Sequence, residues 1–163
     1  MQRVLILNLG GQYDQLVARR VRECRVFCEV LAASRVTVQT IRDMDPIGII
    51  LVGAGENPAK LNIPLFELGI PVLAIDQGCR LMIDALGGKL AQVESHEDHY
   101  RTLTHLGQCI LFQDLLLDII TWMDHDEMIT CLPDGFITTA STDQHPIAAC
   151  CHPEKKLFGL RSG

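Results

Sequence analysis

Pro71-Val72-Leu73-Ala74-Ile75-Asp76-Gln77-Gly78 is an apolar run that ends on a carboxylate and turns at once at a glycine. Such a run, bounded by turn signals, reads as a strand buried on both faces. The residues after it predict a helix over 78–86, stopped by Gly87-Gly88. Ala74 and Gly78 stand two positions either side of Asp76. A nucleophile elbow makes this steric demand, because its sharp strand-to-helix turn tolerates little bulk at its flanks while it projects the middle side chain near a helix N-terminus. A plain strand-to-helix turn meets the same pattern, so the rest of the chain must decide between them.

Outward from the elbow, the same alternation recurs. Val4-Leu5-Ile6-Leu7-Asn8 is apolar and runs into Gly10-Gly11, which predicts a buried strand and a tight turn into a helix over 12–24. Leu16, Val17 and Val21 recur there at helical spacing, with Arg19, Arg20 and Arg22 between them. A strand over 27–31, a helix over 36–44 and a strand over 47–52 follow, the last ending in Gly53-Ala54-Gly55. Alternating strands and helices with strands buried on both faces predict an α/β fold, a doubly wound, flavodoxin-like, mostly parallel sheet whose ligand sites lie at the carboxyl ends of its strands. Past Gly88 the pattern changes to short strands at 89–93, 101–106, 119–122, 128–131, 136–141, 148–151 and 157–160, which predict an antiparallel C-terminal half.

Composition narrows the function. With 163 residues the chain is expected to form a single domain over 1–163. A net charge of −6 lacks the Lys/Arg surplus that phosphate backbones require, so nucleic acid is not expected as a partner. No apolar run approaches the length needed to span a bilayer and no signal-peptide layout opens the chain, so no membrane partner and a cytoplasmic location are expected. The seven cysteines fit reduced thiols, mostly core filler.

The quoted segments carry a family resemblance. Leu5-Ile6-Leu7-Asn8-Leu9-Gly10-Gly11-Gln12-Tyr13, Val17-Ala18-Arg19-Arg20-Val21-Arg22-Glu23, Phe66-Glu67-Leu68-Gly69-Ile70-Pro71-Val72-Leu73, Leu132-Pro133-Asp134-Gly135-Phe136 and Pro153-Glu154-Lys155-Lys156-Leu157-Phe158-Gly159 resemble, in order, the class I glutamine amidotransferase domain of GMP synthetases. The resemblance spans essentially the whole chain and implies the class I amidotransferase fold. Members hydrolyse glutamine with a Cys-His-Glu triad and pass ammonia to an ATP-pyrophosphatase part that aminates XMP to GMP. Their cysteine stands mid-elbow in Gly-Ile-Cys-Tyr-Gly-Met-Gln, and the matching stretch here is Ala74-Ile75-Asp76-Gln77-Gly78-Cys79-Arg80.

Asp76 therefore stands at the nucleophile position, and a carboxylate attacks an unactivated amide far less readily than a primed thiolate does. Cys79 lies about one helical turn on, pointing away from the apex. His152-Pro153-Glu154 imitates the family's His-Pro-Glu but precedes Lys155-Lys156, so it aligns with a turn. That alignment sets Gly163 at the histidine position, with no residue for the glutamate and a C-terminally shortened domain, so no catalytic residue is intact and Asp76→Cys alone would not rebuild the reaction. The family's Ser-Gly-Gly-Pro oxyanion loop corresponds to Val52-Gly53-Ala54-Gly55. The remnant pocket is then expected to comprise Gly53, Ala54, Gly55, Asp76, Gln77 and Arg80, with Asp76 and Arg80 spaced to pair.

Other clusters have plainer uses. His96-Glu97-Asp98-His99 reads as a solvated loop, Cys150-Cys151-His152 lacks a second ligand pair, and no metal or cofactor is expected. The Arg19, Arg20 and Arg22 run fits an exposed or interface helix face, with phosphate binding as the minor alternative. Three functions follow. The first is an inactive amidotransferase-like domain that binds a partner, such as an ATP-pyrophosphatase synthetase subunit, or a small ligand. The second is a working glutaminase subunit. The third is a hydrolase using Asp76 as nucleophile, with His125 or His99 nominated as its base.

Overall fold

Val4, Leu5, Ile6 and Leu7 are all buried, although successive side chains of a strand face opposite ways, so strand β1 (Arg3–Asn8) has to be covered on both sides. The computed structural model describes residues 2–11, 13–53, 61, 63–92, 127–141 and 147–160. Around β1 come helix α1 (Tyr13–Glu23), β2 (Phe27–Ala32), α2 (Val38–Met44), β3 (Gly48–Gly53), a 3-10 turn (Leu65–Glu67), β4 (Val72–Asp76) and α3 (Gln77–Ala85). Then follow β5 (Lys89–Gln92), β6 (Glu127–Cys131), β7 (Ile137–Ala140), β8 (Ala149–His152) and β9 (Leu157–Leu160).

Among the described residues, seven strands form one sheet in the order β2-β1-β3-β4-β9-β8-β7, and β5 and β6 form a separate antiparallel pair. Strands β2, β1, β3, β4 and β9 run parallel, whereas β7, β8 and β9 are joined antiparallel. This is the mostly parallel α/β fold that the alternation predicts, with one correction. Leu157-Phe158-Gly159-Leu160, expected within an antiparallel half, lies parallel to β4 and extends the central sheet, pairing antiparallel only with β8. The strands expected at 101–106 and 119–122 fall outside the described residues.

The core divides by face. Val4, Ile6, Ile50, Val52, Leu73 and Ile75 pack with Val17, Ala18 and Val21 of α1 on one side. Leu5, Leu7, Ile49, Leu51, Val72 and Ala74 pack with Ile41 of α2 and with Cys79, Met82 and Ile83 of α3 on the other. Each helix thus buries a stripe at the spacing its sequence sets. Helix α2 starts at Val38, two residues later than its apolar pattern predicts, because Thr37 caps it by accepting the Thr40 N–H at 3.1 Å.

Helix α1 ends in a Schellman motif. The Val26 N–H donates to the Val21 carbonyl at 3.3 Å and the Arg25 N–H to the Arg22 carbonyl at 2.9 Å. Arg25 occupies the left-handed position with φ 62°, where glycine is the usual residue. For an L side chain this conformation costs about 1–2 kcal/mol.

Candidate functional site

The carboxyl ends of β3 and β4 finish side by side, Gly53 opposite Asp76 in the register. Asp76 has φ 55° and ψ −111°, a conformation L residues rarely adopt, and α3 begins at the next residue. Such strain persists only where the surroundings over-determine it. Those surroundings are visible. Ala74 is fully buried, and a Cβ on Gly78 would fall 2.2 Å from the Leu51 carbonyl oxygen. On the other flank a Cβ on Gly53 would meet Leu9 Cβ at 2.7 Å and Gln77 Cβ at 3.4 Å. Close backbone approach on both sides forces the turn, as the small residues around Asp76 predict.

Asp76 is only 3% exposed and sits at the N-cap of α3, where the helix dipole favours an anion. Its carboxylate makes no cap hydrogen bond to that helix. Gln77 and Arg80 are half-buried in the first turn. Of the six pocket residues the sequence nominates, the structure gathers Gly53, Asp76 and Gln77 at one point and places Arg80 one turn along α3. Ala54, Gly55 and Gly163 lie outside the described residues.

The end of β1 belongs to the same rim, which the sequence reading missed. The Leu9 N–H donates to the Val52 carbonyl at 2.8 Å, and the Gly10 N–H donates to Asn8 Oδ1 at 2.8 Å. Gly10 and Gly11, at φ 142° and 91°, carry the chain away from this point. The signal was available, since β1 also ends here in a parallel sheet.

Cys79 and His152 both sit away from the apex. Cys79 is fully buried and faces β9 and β8, not the apex: a Cβ on Gly159 would lie 2.8 Å from Cys79 Sγ and 3.0 Å from Cys150 Sγ. The Cys150 thiol is pushed well above its ordinary value of 9.0, first by its hydrogen bond with Cys79, then by burial and by the neighbouring thiols Cys79 and Cys151, against a smaller opposing effect of the Gly159 backbone. Burial also raises Cys151. Protonated, enclosed thiols are poor nucleophiles.

His152 is the only histidine among the described residues. It pairs with Leu157, which pairs with Val72 at the opposite end of β4 from Asp76. Four residues of strand separate those ends, about 13 Å. The His152-Pro153-Glu154 segment forms the β8–β9 turn, where the Lys155 N–H donates to His152 Nδ1 at 3.2 Å and the imidazole meets Phe136 edge-on at 5.4 Å. The described residues contain no group of three or more His, Cys, Asp or Glu able to hold a metal ion, and His96, His99 and His125 lie outside them. No helix among the described residues is long and apolar enough to cross a membrane.

Comparison with known proteins agrees with this architecture. A GMP synthase [glutamine-hydrolyzing] of Agathobacter rectalis is 41% identical over 165 residues, covering 98% of this chain and 31% of that protein. The chain spans about a third of the length of the curated relatives it matches, 31% to 33% in the first three. A Thermoplasma acidophilum protein described as one subunit of a GMP synthase shares the fold with a TM-score of 0.72 at 16% identity, covering 99% of this chain and 83% of that one. A glutamine amidotransferase of Thermotoga maritima does so at 0.65 and 12%, covering 99% and 75%. Residues 5–160, from the buried strand β1 through the elbow to the last residue of β9, match the family described as Glutamine amidotransferase class-I, and the chain belongs to that family.

Proposed function

We propose that the chain is the amidotransferase-like module of a GMP-synthase-type assembly in which Asp76 stands at the family's nucleophile position, so that the module binds a partner or small ligand without hydrolysing glutamine. One observation carries this reading: the apex of the elbow, still held at φ 55° and ψ −111°, presents a carboxylate where the chemistry needs a thiolate. A carboxylate is a weak nucleophile toward an amide, and its charge opposes the oxyanion that would develop beside it. Cys79 does not substitute, because its sulfur is enclosed between α3 and β9.

The remnant pocket in this reading comprises Gly53, Ala54, Gly55, Asp76, Gln77 and Arg80. The partner is an ATP-pyrophosphatase synthetase component, either a separate subunit or the remainder of a longer chain. The relatives' names and their threefold greater length support that assignment. A glutaminase assay with ammonia detection tests the reading: release stays at background for the purified protein, alone or with a synthetase component. Turnover above background sinks it and restores the reading as a working glutaminase.

The buried charge at the apex favours a second reading, since the turn is set by its neighbours and requires no carboxylate there. Here the Asp76 carboxylate displaces a leaving group from an activated carbon to form an ester, which water then opens by attack on the carboxyl carbon. Turnover in ¹⁸O-labelled water would leave the label in the peptide containing Asp76, a gain of about 2 Da per exchanged oxygen expected for such an ester mechanism. An unlabelled peptide after turnover removes this reading.

A further inference from the structure

At the opposite end of the parallel strands from Asp76, the close of α1 meets the start of β2. Phe27 pairs there with Arg3, the first residue of β1. Arg22, Arg25, Val26, Phe27 and Cys28 line a groove of about 420 Å³, within the range of small-ligand sites. Three features set this groove apart. Phe27 is 62% exposed on an edge strand, so its ring buries little against the sheet. Arg22 and Arg25 are exposed, and among the described residues neither makes an ion pair, whereas Arg19 and Arg20 of the same turn are both taken by Glu23. Two arginines without an ion pair on one groove stand out in a chain of net charge −6.

The third feature is the backbone of Arg25. The Schellman end of α1 asks for glycine, and an arginine held at φ 62° is strained by its Cβ alone. Strained residues of this kind cluster at binding and active sites. Planar guanidinium groups bind phosphate through paired N–H donors, and an exposed aromatic face stacks on a flat ring. Together they select a ligand that joins a ring to an anion.

We infer that this groove binds a nucleoside monophosphate, with the base on Phe27 and the phosphate between Arg22 and Arg25. The inference stands apart from the elbow and from the reading of Asp76. Calorimetric titration of the full chain with AMP, GMP, adenosine and inorganic phosphate, at low and high salt, tests it. Saturable binding of a nucleotide is expected, weakening as salt rises, with nucleoside and phosphate each at least about tenfold weaker. Arg25→Gly should lower nucleotide affinity about tenfold while raising the melting temperature, a pairing that a folding defect cannot produce. Phe27→Ala should weaken the nucleotide about tenfold and leave phosphate unchanged. The proposal is overturned if neither nucleotide saturates, if phosphate binds as tightly as the nucleotide, which would point to a simple anion site, or if Arg25→Gly binds like the parent chain, which would place the nucleotide away from this groove.

Discussion

Gly78 and Leu51 approach backbone to backbone: a Cβ added to Gly78 would fall 2.2 Å from the Leu51 carbonyl oxygen and 2.8 Å from its carbonyl carbon. A main-chain carbonyl in the middle of a fully buried strand cannot swing aside as a side-chain end can. Gly78→Ala should therefore destabilise the protein by about 3 kcal/mol or abolish folding, the upper range for overpacking. Denaturant unfolding measures it, and a loss below about 1 kcal/mol would mean that α3 can lift away from β3 without strain.

Asp76→Gly should move stability the other way. The substitution removes a positive-φ penalty of about 1–3 kcal/mol and returns part of it through the greater freedom of glycine when unfolded, leaving a net gain of about 1 kcal/mol. A higher denaturant midpoint with an unchanged slope is the expected record. A lower midpoint would show that contacts of the carboxylate outweigh the strain.

Gly159 offers a softer collision. Its added Cβ would meet Cys79 Sγ at 2.8 Å, Cys150 Sγ at 3.0 Å and Met82 Cε at 3.0 Å, all ends of side chains. Gly159→Ala should cost about 1–3 kcal/mol. Adding Cys79→Ala opens room at the point of contact, so the double variant should be more stable than the sum of the two single losses, by about 0.5 kcal/mol or more. Strict additivity would place the clash elsewhere.

Alkaline pH supplies a further test. The Cys150 and Cys151 thiols titrate above 9.0 in the folded protein, through the Cys79 hydrogen bond and burial for the first and burial for the second. Above that value the unfolded chain has lost protons that the folded chain still holds, so stability falls as pH rises; below it the contribution is fully present. Denaturant midpoints should hold steady up to about pH 8 and decline beyond it, with a shallower decline in Cys150→Ala. Equal slopes in the two proteins would show that other groups set the alkaline limit.

Much of this was legible in the residues themselves. Apolar runs separated by glycine turns located β1, β3 and β4, and Ala74 and Gly78 around Asp76 announced the elbow. The direction of β9 was not. Leu157-Phe158-Gly159-Leu160 is too short for its periodicity to speak, and its place beside β4 is set by the path of the chain. Its lack of polar residues was the one available hint, because strands without polar alternation belong in a parallel sheet. That the β1 and β3 ends share one rim was legible from the parallel sheet, whereas the close approach of Gly53 to Leu9 there was not, since it joins residues far apart in sequence. The exposure of Phe27 could not be read either, because an apolar residue at a strand start gives no sign of lying on the outermost strand.

Strand β4 runs between β3 and β9, parallel to both, and Gly78 locks the helix behind it. The posture of residue 76 is thus imposed by its neighbours and not by its own side chain. The apex behaves as a socket: whatever amino acid occupies it is held at the same angle between β3 and α3. The fitting can be exchanged while the frame that holds it stays whole.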